Sequence, residues 1–117
     1  MKFPPERRVR KRPEFQEIQR LGRRIPTRHF VLIISSAANP TDLPRMGITA
    51  SRRVGNSVRR SRLKRIVRAA FQQLDGFLPP GFNLVVICKK DAETLTTETT
   101  VQEWLSAQKR VKKVTCS

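Results

Sequence analysis

The sequence has few acids, a single histidine, no tyrosine and only two cysteines. Nine Asp and Glu residues stand against 25 Lys and Arg residues, so the net charge is +16. One histidine and scattered carboxylates offer no pair or cluster with the spacing of a hydrolytic or metal site. We therefore expect no catalytic residue and no metal site on the protein. Cys88 lies in an apolar run and Cys116 is next to last, and we expect no disulfide between them.

Long hydrophobic runs are also missing. No stretch approaches the roughly 18 apolar residues of a membrane-spanning helix, and the N-terminal sequence lacks the apolar segment of a signal peptide. These absences predict a cytoplasmic protein. The length of 117 residues and the periodic apolar segments predict a single domain over 1–117, with 1–12 as a basic flexible arm and 114–117 as a tail.

The positive charge is concentrated in the segment 52–74, RRVGNSVRRSRLKRIVRAAFQQL. Asn56 is a suitable N-cap, and the apolar residues that follow recur at helical spacing, which predicts a helix over 57–74 with one buried side and one cationic side. The residues predicted to face inward are Val58, Leu63, Ile66, Val67, Ala70, Phe71 and Leu74.

The charges of this helix are costly for a helix that only meets water. Arg60 and Lys64, and likewise Lys64 and Arg68, are like-charged pairs at i,i+4 spacing, each destabilising by about 0.2–0.5 kcal/mol. Arginines in the first turn also oppose the helix dipole, at about 0.3–1 kcal/mol each at low salt. No acid occurs between Asp42 and Asp75 to compensate them. The pattern therefore favours a helix that binds a polyanion, whose phosphates can also meet the free N–H groups of the helix N-terminus.

The remaining segments predict a mixture of helices and strands. Pro13 and Gly22 bound a short helix over 13–21. Apolar runs separated by turn residues predict three strands, over 29–34, 46–51 and 83–88. The second strand, the basic helix and the third strand follow one another as a βαβ unit, so these two strands should be parallel.

A last helix is predicted to begin near Thr97, with Thr97 as its cap. Its inner side should contain Val101, Trp104, Leu105 and Val111. Trp104 is expected to anchor this helix to the sheet, while the basic residues at its end complement the helix dipole.

The segment 53–68 resembles the signature of the protein subunit of bacterial ribonuclease P, G-N-A-V-x-R-N-R-x-K-R-x-x-R. The matching residues are Gly55, Asn56, Val58, Arg60, Arg62, Lys64, Arg65 and Arg68. Ser57 replaces the Ala and Ser61 replaces the second Asn of the signature, and the similarity extends over most of the chain. The resemblance implies an α+β fold, an α/β sandwich with a small central mixed sheet flanked by helices. Its implied order is α-β-β-α-β-α, with a left-handed βαβ crossover.

In that family an RNA subunit is the catalyst, and the protein assists the endonucleolytic removal of the 5′ leader from precursor tRNA. The resemblance implies that this chain binds the catalytic RNA and precursor tRNA, with Mg²⁺ held in the holoenzyme through RNA and no cofactor bound tightly by the protein. The implied RNA-binding residues are Arg52, Arg53, Asn56, Arg59, Arg60, Arg62, Lys64, Arg65 and Arg68. A cleft between the first helix and the sheet should receive the single-stranded leader. By position, its implied residues are Phe15, Gln19, His29 and Ile33.

Two other functions remain open from the residues themselves. Composition alone favours a ribosomal or other structural RNA-binding protein without a role in cleavage, and a basic helix can also enter the major groove of DNA. Membrane and duplex DNA are nevertheless not the partners that we expect. On pattern alone Phe15 is a core residue, and His29 is an inert or RNA-contacting residue rather than a catalytic one. Because the chain has no tyrosine, leader binding should rely more on phosphate contacts than on stacking.

Overall fold

A computed structural model describes residues 8–9, 12–37, 39–74, 76–90, 92 and 95–115. Within these residues the helices are α1 (Arg12–Leu21), α2 (Ser57–Gln73), α3 (Thr97–Ser106) and α4 (Gln108–Thr115). The strands are β1 (Arg23–Pro26), β2 (Phe30–Ser36), β3 (Arg45–Thr49) and β4 (Phe82–Cys88). None of the helices in these ranges combines the length and apolar character needed to cross a membrane.

The four strands form one mixed sheet in the order β1-β2-β4-β3. β2 pairs antiparallel with both β1 and β4, whereas β3 and β4 are parallel and place Met46 opposite Leu84. Because α2 connects β3 to β4, the predicted α+β class and the parallel βαβ unit are confirmed. The hand of this crossover stays a prediction.

Two features of the element order were not predicted. β1 pairs with β2 over four residues, and it turns the first half of the sheet into a hairpin. The last helix is two helices, because Ala107 ends α3 and separates it from α4. The cap of α3 is Thr96, whose hydroxyl accepts a hydrogen bond from the backbone N–H of Thr99 at 3.2 Å, so the prediction of Thr97 as the cap is wrong.

The sheet is covered by helices on both faces. The larger core lies between the sheet and α2, α3 and α4, and it contains Leu63 and Val67 of α2. Trp104 is fully buried there, edge-on to Phe30 at 5.9 Å and stacked on Phe77 at 5.8 Å, which confirms its predicted role as an anchor. The smaller core, on the α1 side, contains Val9, Ile18, Ile33 and Val85.

Two apolar residues predicted to face inward are exposed. Val58 is 73% exposed and Leu105 is 41% exposed. Val58 lies about 140° around the helix axis from the buried Leu63, since successive residues are about 100° apart. The prediction that Val58, in the first turn of the basic helix, faces inward is therefore wrong.

The ends of the chain depart from the predicted arm and tail. Val9 is 3% exposed, and its N–H donates to the carbonyl of Met46 at 3.1 Å, so this part of the arm is held along β3. α1 already begins at Arg12, and α4 continues to Thr115. Residues 1–7, 10–11 and 116–117 of the predicted arm and tail, including Cys116, lie outside the described residues. Cys88 is a buried free thiol.

Candidate nucleic-acid interface

The start of α2 is built by a glycine and a capping asparagine. Gly55 has φ 151°, a backbone conformation that favours glycine. The side-chain oxygen of Asn56 accepts a hydrogen bond from the backbone N–H of Arg59 at 3.0 Å, which confirms the predicted N-cap. A single 3-10 turn, Arg52–Val54, precedes the cap and buries Val54 while Arg52 and Arg53 stay exposed. The fold therefore presents two arginines beside the helix N-terminus.

The outer side of α2 and the turn before it form a cationic surface. We call its exposed residues Arg52, Arg53, Arg59 and Arg65 the α2 surface. Within the described ranges, Arg52, Arg53 and Arg65 have no ion pair with an acid. The acids that do form ion pairs there lie elsewhere, Glu14 with Arg45 and Glu103 with His29. The positive charge of this surface is therefore not neutralised by the described acids.

One flank of α2 faces a cleft at the outer edge of β3. Arg60, Lys64 and Arg68 are half-buried along this flank at i,i+4 spacing. The cleft has a volume of about 270 Å³. We call it the β3-edge cleft, and its lining includes Arg8, Phe15, Gly47, Ile48, Lys64 and Arg68. It combines three basic side chains with one half-buried aromatic ring.

The ring of Phe15 occupies its place because residue 47 has no side chain. A Cβ atom added to Gly47 would lie 2.6 Å from Cζ of Phe15 and 3.0 Å from Cβ of Val9. Phe15 packs on the smaller core at its base, and its partial exposure leaves the rest of the ring facing the cleft. An interior glycine of a strand thus permits the close approach of an aromatic side chain.

The β3-edge cleft brings three half-buried cations together, Arg8, Lys64 and Arg68. Burial, followed by the positive charge of Arg8, lowers the pKa of Arg68. Arg45 fixes the backbone here, because its Nη2 donates to the carbonyl of Arg8 at 3.0 Å while its Nη1 lies 2.7 Å from a carboxylate oxygen of Glu14. An anionic group in the cleft would relieve the repulsion between these cations.

Arg62 differs from its neighbours on α2. Its Nη1 donates to the carbonyl of Leu95 at 3.1 Å, so part of this guanidinium ties α2 to the segment before α3. Arg60 has a buried Nε without a hydrogen-bond partner among the described residues. The nine predicted RNA-binding residues therefore do not form one uniform face. Asn56 and the residues of the α2 surface are exposed, whereas Arg60, Lys64 and Arg68 are half-buried on the flank that faces the β3-edge cleft. Arg62 is also exposed, but it is hydrogen-bonded to the carbonyl of Leu95.

His29 is held on the α3 side of the sheet. Its Nδ1 lies 2.6 Å from Oε1 of Glu103, and its backbone N–H donates to Oε2 at 2.9 Å. The Thr27 hydroxyl also donates to Oε2 at 2.6 Å. Burial of Glu103 acts to raise its pKa, but the hydrogen bonds from Thr27 and His29 outweigh it, so the pKa of Glu103 is lowered.

The four predicted leader residues are consequently not brought together as one surface. Phe15 lines the cleft, and Gln19 is half-buried one turn later on α1. Ile33 is fully buried in the smaller core beneath α1, which corrects the expectation that it touches the leader. His29 is engaged with Glu103, and a leader contact by His29 stays a prediction.

Sequence reasoning missed Arg8, Arg45 and Gly47. The sequence places Arg8 in the predicted flexible arm, and Arg45 lies one residue before the predicted strand over 46–51. The glycine at position 47, inside an apolar strand, is the one signal that pointed to a close approach. For metal binding, the described part of the chain has no group of three or more His, Cys, Asp or Glu residues that could hold an ion.

Comparisons of sequence and of structure with known proteins point to the same family. A family model described as Ribonuclease P matches residues 3–112. The ribonuclease P protein component of Shouchella clausii is 41% identical over 91 residues, which cover 78% of this chain and 74% of that protein. The solved RNase P protein of Staphylococcus aureus has a TM-score of 0.77 and 28% identity, covering 93% of this chain and 97% of that one. The RNase P protein of Thermotoga maritima has a TM-score of 0.76 and 32% identity, covering 88% and 96%.

Proposed function

The chain belongs to the ribonuclease P protein family, and from that premise we propose how its cationic surfaces divide the work of the holoenzyme. As the protein component of ribonuclease P, it is a subunit of an endoribonuclease and a partner of the RNase P RNA. The α2 surface binds this RNA, and the β3-edge cleft binds the single-stranded 5′ leader of precursor tRNA.

The observation that carries the RNA contact is the charge of three arginines of the α2 surface that form no ion pair with a described acid. Three of its guanidinium groups, on Arg52, Arg53 and Arg65, are exposed and have no ion pair within the described residues. Each contact with a phosphate releases counterions, and that release supplies most of the salt-dependent affinity for RNA. Nearby, Gly55 and Asn56 shape a helix N-terminus whose N–H groups favour an anion.

The β3-edge cleft supports the leader contact by its mixture of chemistry. Single-stranded nucleic acid is bound by a cationic groove that follows the backbone and by aromatic rings that stack on bases, at about 1–3 kcal/mol per base. Phe15 supplies one ring, while Arg8, Lys64 and Arg68 supply charge. Because the cleft has one aromatic and three cations, most of the leader affinity comes from phosphate contacts.

The phosphodiester chemistry belongs to the RNA in this proposal. Glu14 and Glu103, the two described acids with ion-pair partners, are committed to Arg45 and His29, and the described residues offer no three-ligand cluster that fits a resident metal. We propose that Mg²⁺ is bound through RNA, and that the protein raises substrate affinity and screens phosphate repulsion. We propose that this activity takes place in the cytoplasm.

A cleavage assay tests the proposal. Precursor tRNA is incubated at low Mg²⁺ with the cognate RNA, with and without the protein, and also with highly purified protein free of RNA. We expect the protein to increase cleavage by its RNA and to release no mature 5′ end alone. Cleavage by the RNA-free protein, or no stimulation of the RNA, contradicts the proposal. Duplex DNA at equal salt should compete less well than structured RNA.

A further inference from the structure

A second cationic surface lies at the far edge of the sheet. It is formed by α4, by β1 and by the turn after β1. We call it the α4 surface, and its exposed cations are Arg23, Arg28, Lys109, Arg110, Lys112 and Lys113. Neither α4 nor β1 contains an acid. This surface is not part of the signature segment.

The α4 surface is held in a fixed arrangement. Val111 of α4 is fully buried in the same core as Ile25 of β1, which places the helix against the edge strand. Nη1 of Arg110 donates to the carbonyl of Pro26 at 2.8 Å. Lys89 donates through Nζ to the carbonyl of Thr27. Helix, strand and turn therefore form one continuous platform.

The helix dipole does not explain this charge. Lys112 and Lys113 lie in the last turn of α4 and complement its carboxyl end. Arg23 and Arg28 belong to a strand and a turn, where no such effect acts. The carboxylate of Glu103 on the neighbouring α3 is already engaged with Thr27 and His29.

The position of the α4 surface separates it from the β3-edge cleft. β1 and β3 are the two edge strands of the sheet. With neighbouring strands about 4.8 Å apart, the two edges are about 14 Å apart across the sheet. The α4 surface and the β3-edge cleft therefore lie at opposite edges of the sheet.

We propose that the α4 surface binds the phosphate backbone of a double-helical segment of the RNase P RNA, distinct from the segment on the α2 surface. This inference rests on the proposed function. Surfaces for single strands use aromatic stacking, and the sequences of β1 (RRIP) and α4 (QKRVKKVT) contain no aromatic residue. Charge without stacking suits duplex RNA, which is recognised by shape and through phosphate and 2′-OH contacts.

The test uses the full protein with the cognate RNA. The first variant changes Lys109, Lys112 and Lys113 to Gln and keeps Arg110, because Arg110 holds the Pro26 carbonyl. The matched control changes the same three lysines to Arg, which keeps the charge. Arg65→Ala serves as the reference for the α2 surface. Circular dichroism and thermal melting verify the fold of each variant before binding and hydroxyl-radical footprinting.

The Gln variant is expected to lose protection of one duplex segment while the segment protected by α2 stays. If all three lysines contact phosphates, the slope of log affinity against log salt becomes shallower by about 2–3. The Arg control should keep both the slope and the footprint. A Gln variant with unchanged slope and footprint overturns the inference. So does a defect confined to precursor tRNA bound by a saturated holoenzyme, since it assigns the surface to the substrate.

The reference variant separates this inference from the proposed function. If Arg65→Ala weakens RNA binding and the Gln variant does not, only the second surface is refuted. If neither variant changes the slope, the assignment of the α2 surface fails as well.

Discussion

Replacing Gly47 by Ala should impair leader binding through a displacement of Phe15. The added Cβ would lie 2.6 Å from Cζ and 2.7 Å from Cε1 of Phe15. Carbon atoms in contact are ordinarily about 3.5–4.0 Å apart, so the ring must move by about 1 Å. The ring cannot move inward, because the fully buried Ile33 and Val85 lie in the core beneath it. The ring must therefore shift within the cleft where the leader is proposed to bind.

The magnitude follows from two energies. Overpacking costs about 1–3 kcal/mol of stability, which should lower the melting temperature without unfolding the domain. Loss of one stacked base costs about 1–3 kcal/mol, equivalent to about 5- to 150-fold in affinity.

The assay compares the affinity of the holoenzyme for precursor tRNA with its affinity for mature tRNA, which has no leader. Gly47→Ala should reduce the preference for the precursor and leave the affinity for the RNA subunit unchanged. Phe15→Leu should have the same effect. In the double variant the two losses should not add, because Gly47 acts through Phe15. A folded Gly47→Ala protein with the full leader preference refutes this reasoning.

Two further predictions concern titratable groups outside the interface. Because hydrogen bonds from Thr27 and His29 lower the pKa of Glu103, its carboxylate contributes stability above its unfolded pKa of about 4.3 and loses it as pH falls through the folded value. Glu103→Gln should lower the free energy of unfolding at neutral pH and flatten its decline in acid, as measured by urea denaturation; parallel pH curves for the two proteins contradict this. Burial raises the pKa of Cys88 to about 12. In a Cys116→Ser protein, the Cys88 thiol should therefore be alkylated at neutral pH only after the protein unfolds. Rapid labelling of the native protein would show that the thiol is accessible.

Elements with strong local signals were predictable from the sequence. The N-cap at Asn56 and the helix that follows depend on neighbouring residues only, and both are present. β1 has only one buried residue, Ile25, so it carries no alternating pattern, and it exists because β2 offers a partner. The break at Ala107 is marked by neither glycine nor proline.

The sequence predicted which residues of α2 belong to the candidate site. It did not predict that these residues have different roles. Arg62, Lys64 and Arg65 lie within four positions of one helix, yet Arg62 is hydrogen-bonded to the segment before α3, Lys64 lines a cleft, and Arg65 is exposed without an ion pair to a described acid. What each side chain does is decided by the element packed beside it. Similarly, Arg8 enters the site because its segment pairs with β3, a contact between distant positions that local patterns do not reveal.

The salt dependence of RNA binding tests the central claim most directly. If six to ten phosphates are contacted, affinity for the RNase P RNA should fall about 10³–10⁵-fold between about 50 and 200 mM salt. Changing Arg52, Arg53 and Arg65 together to Ala should make the log–log slope shallower by about 2–3, whereas changing them to Lys should preserve it. A slope that is the same in the Ala variant and the unmodified protein would contradict the claim that the α2 surface holds the RNA.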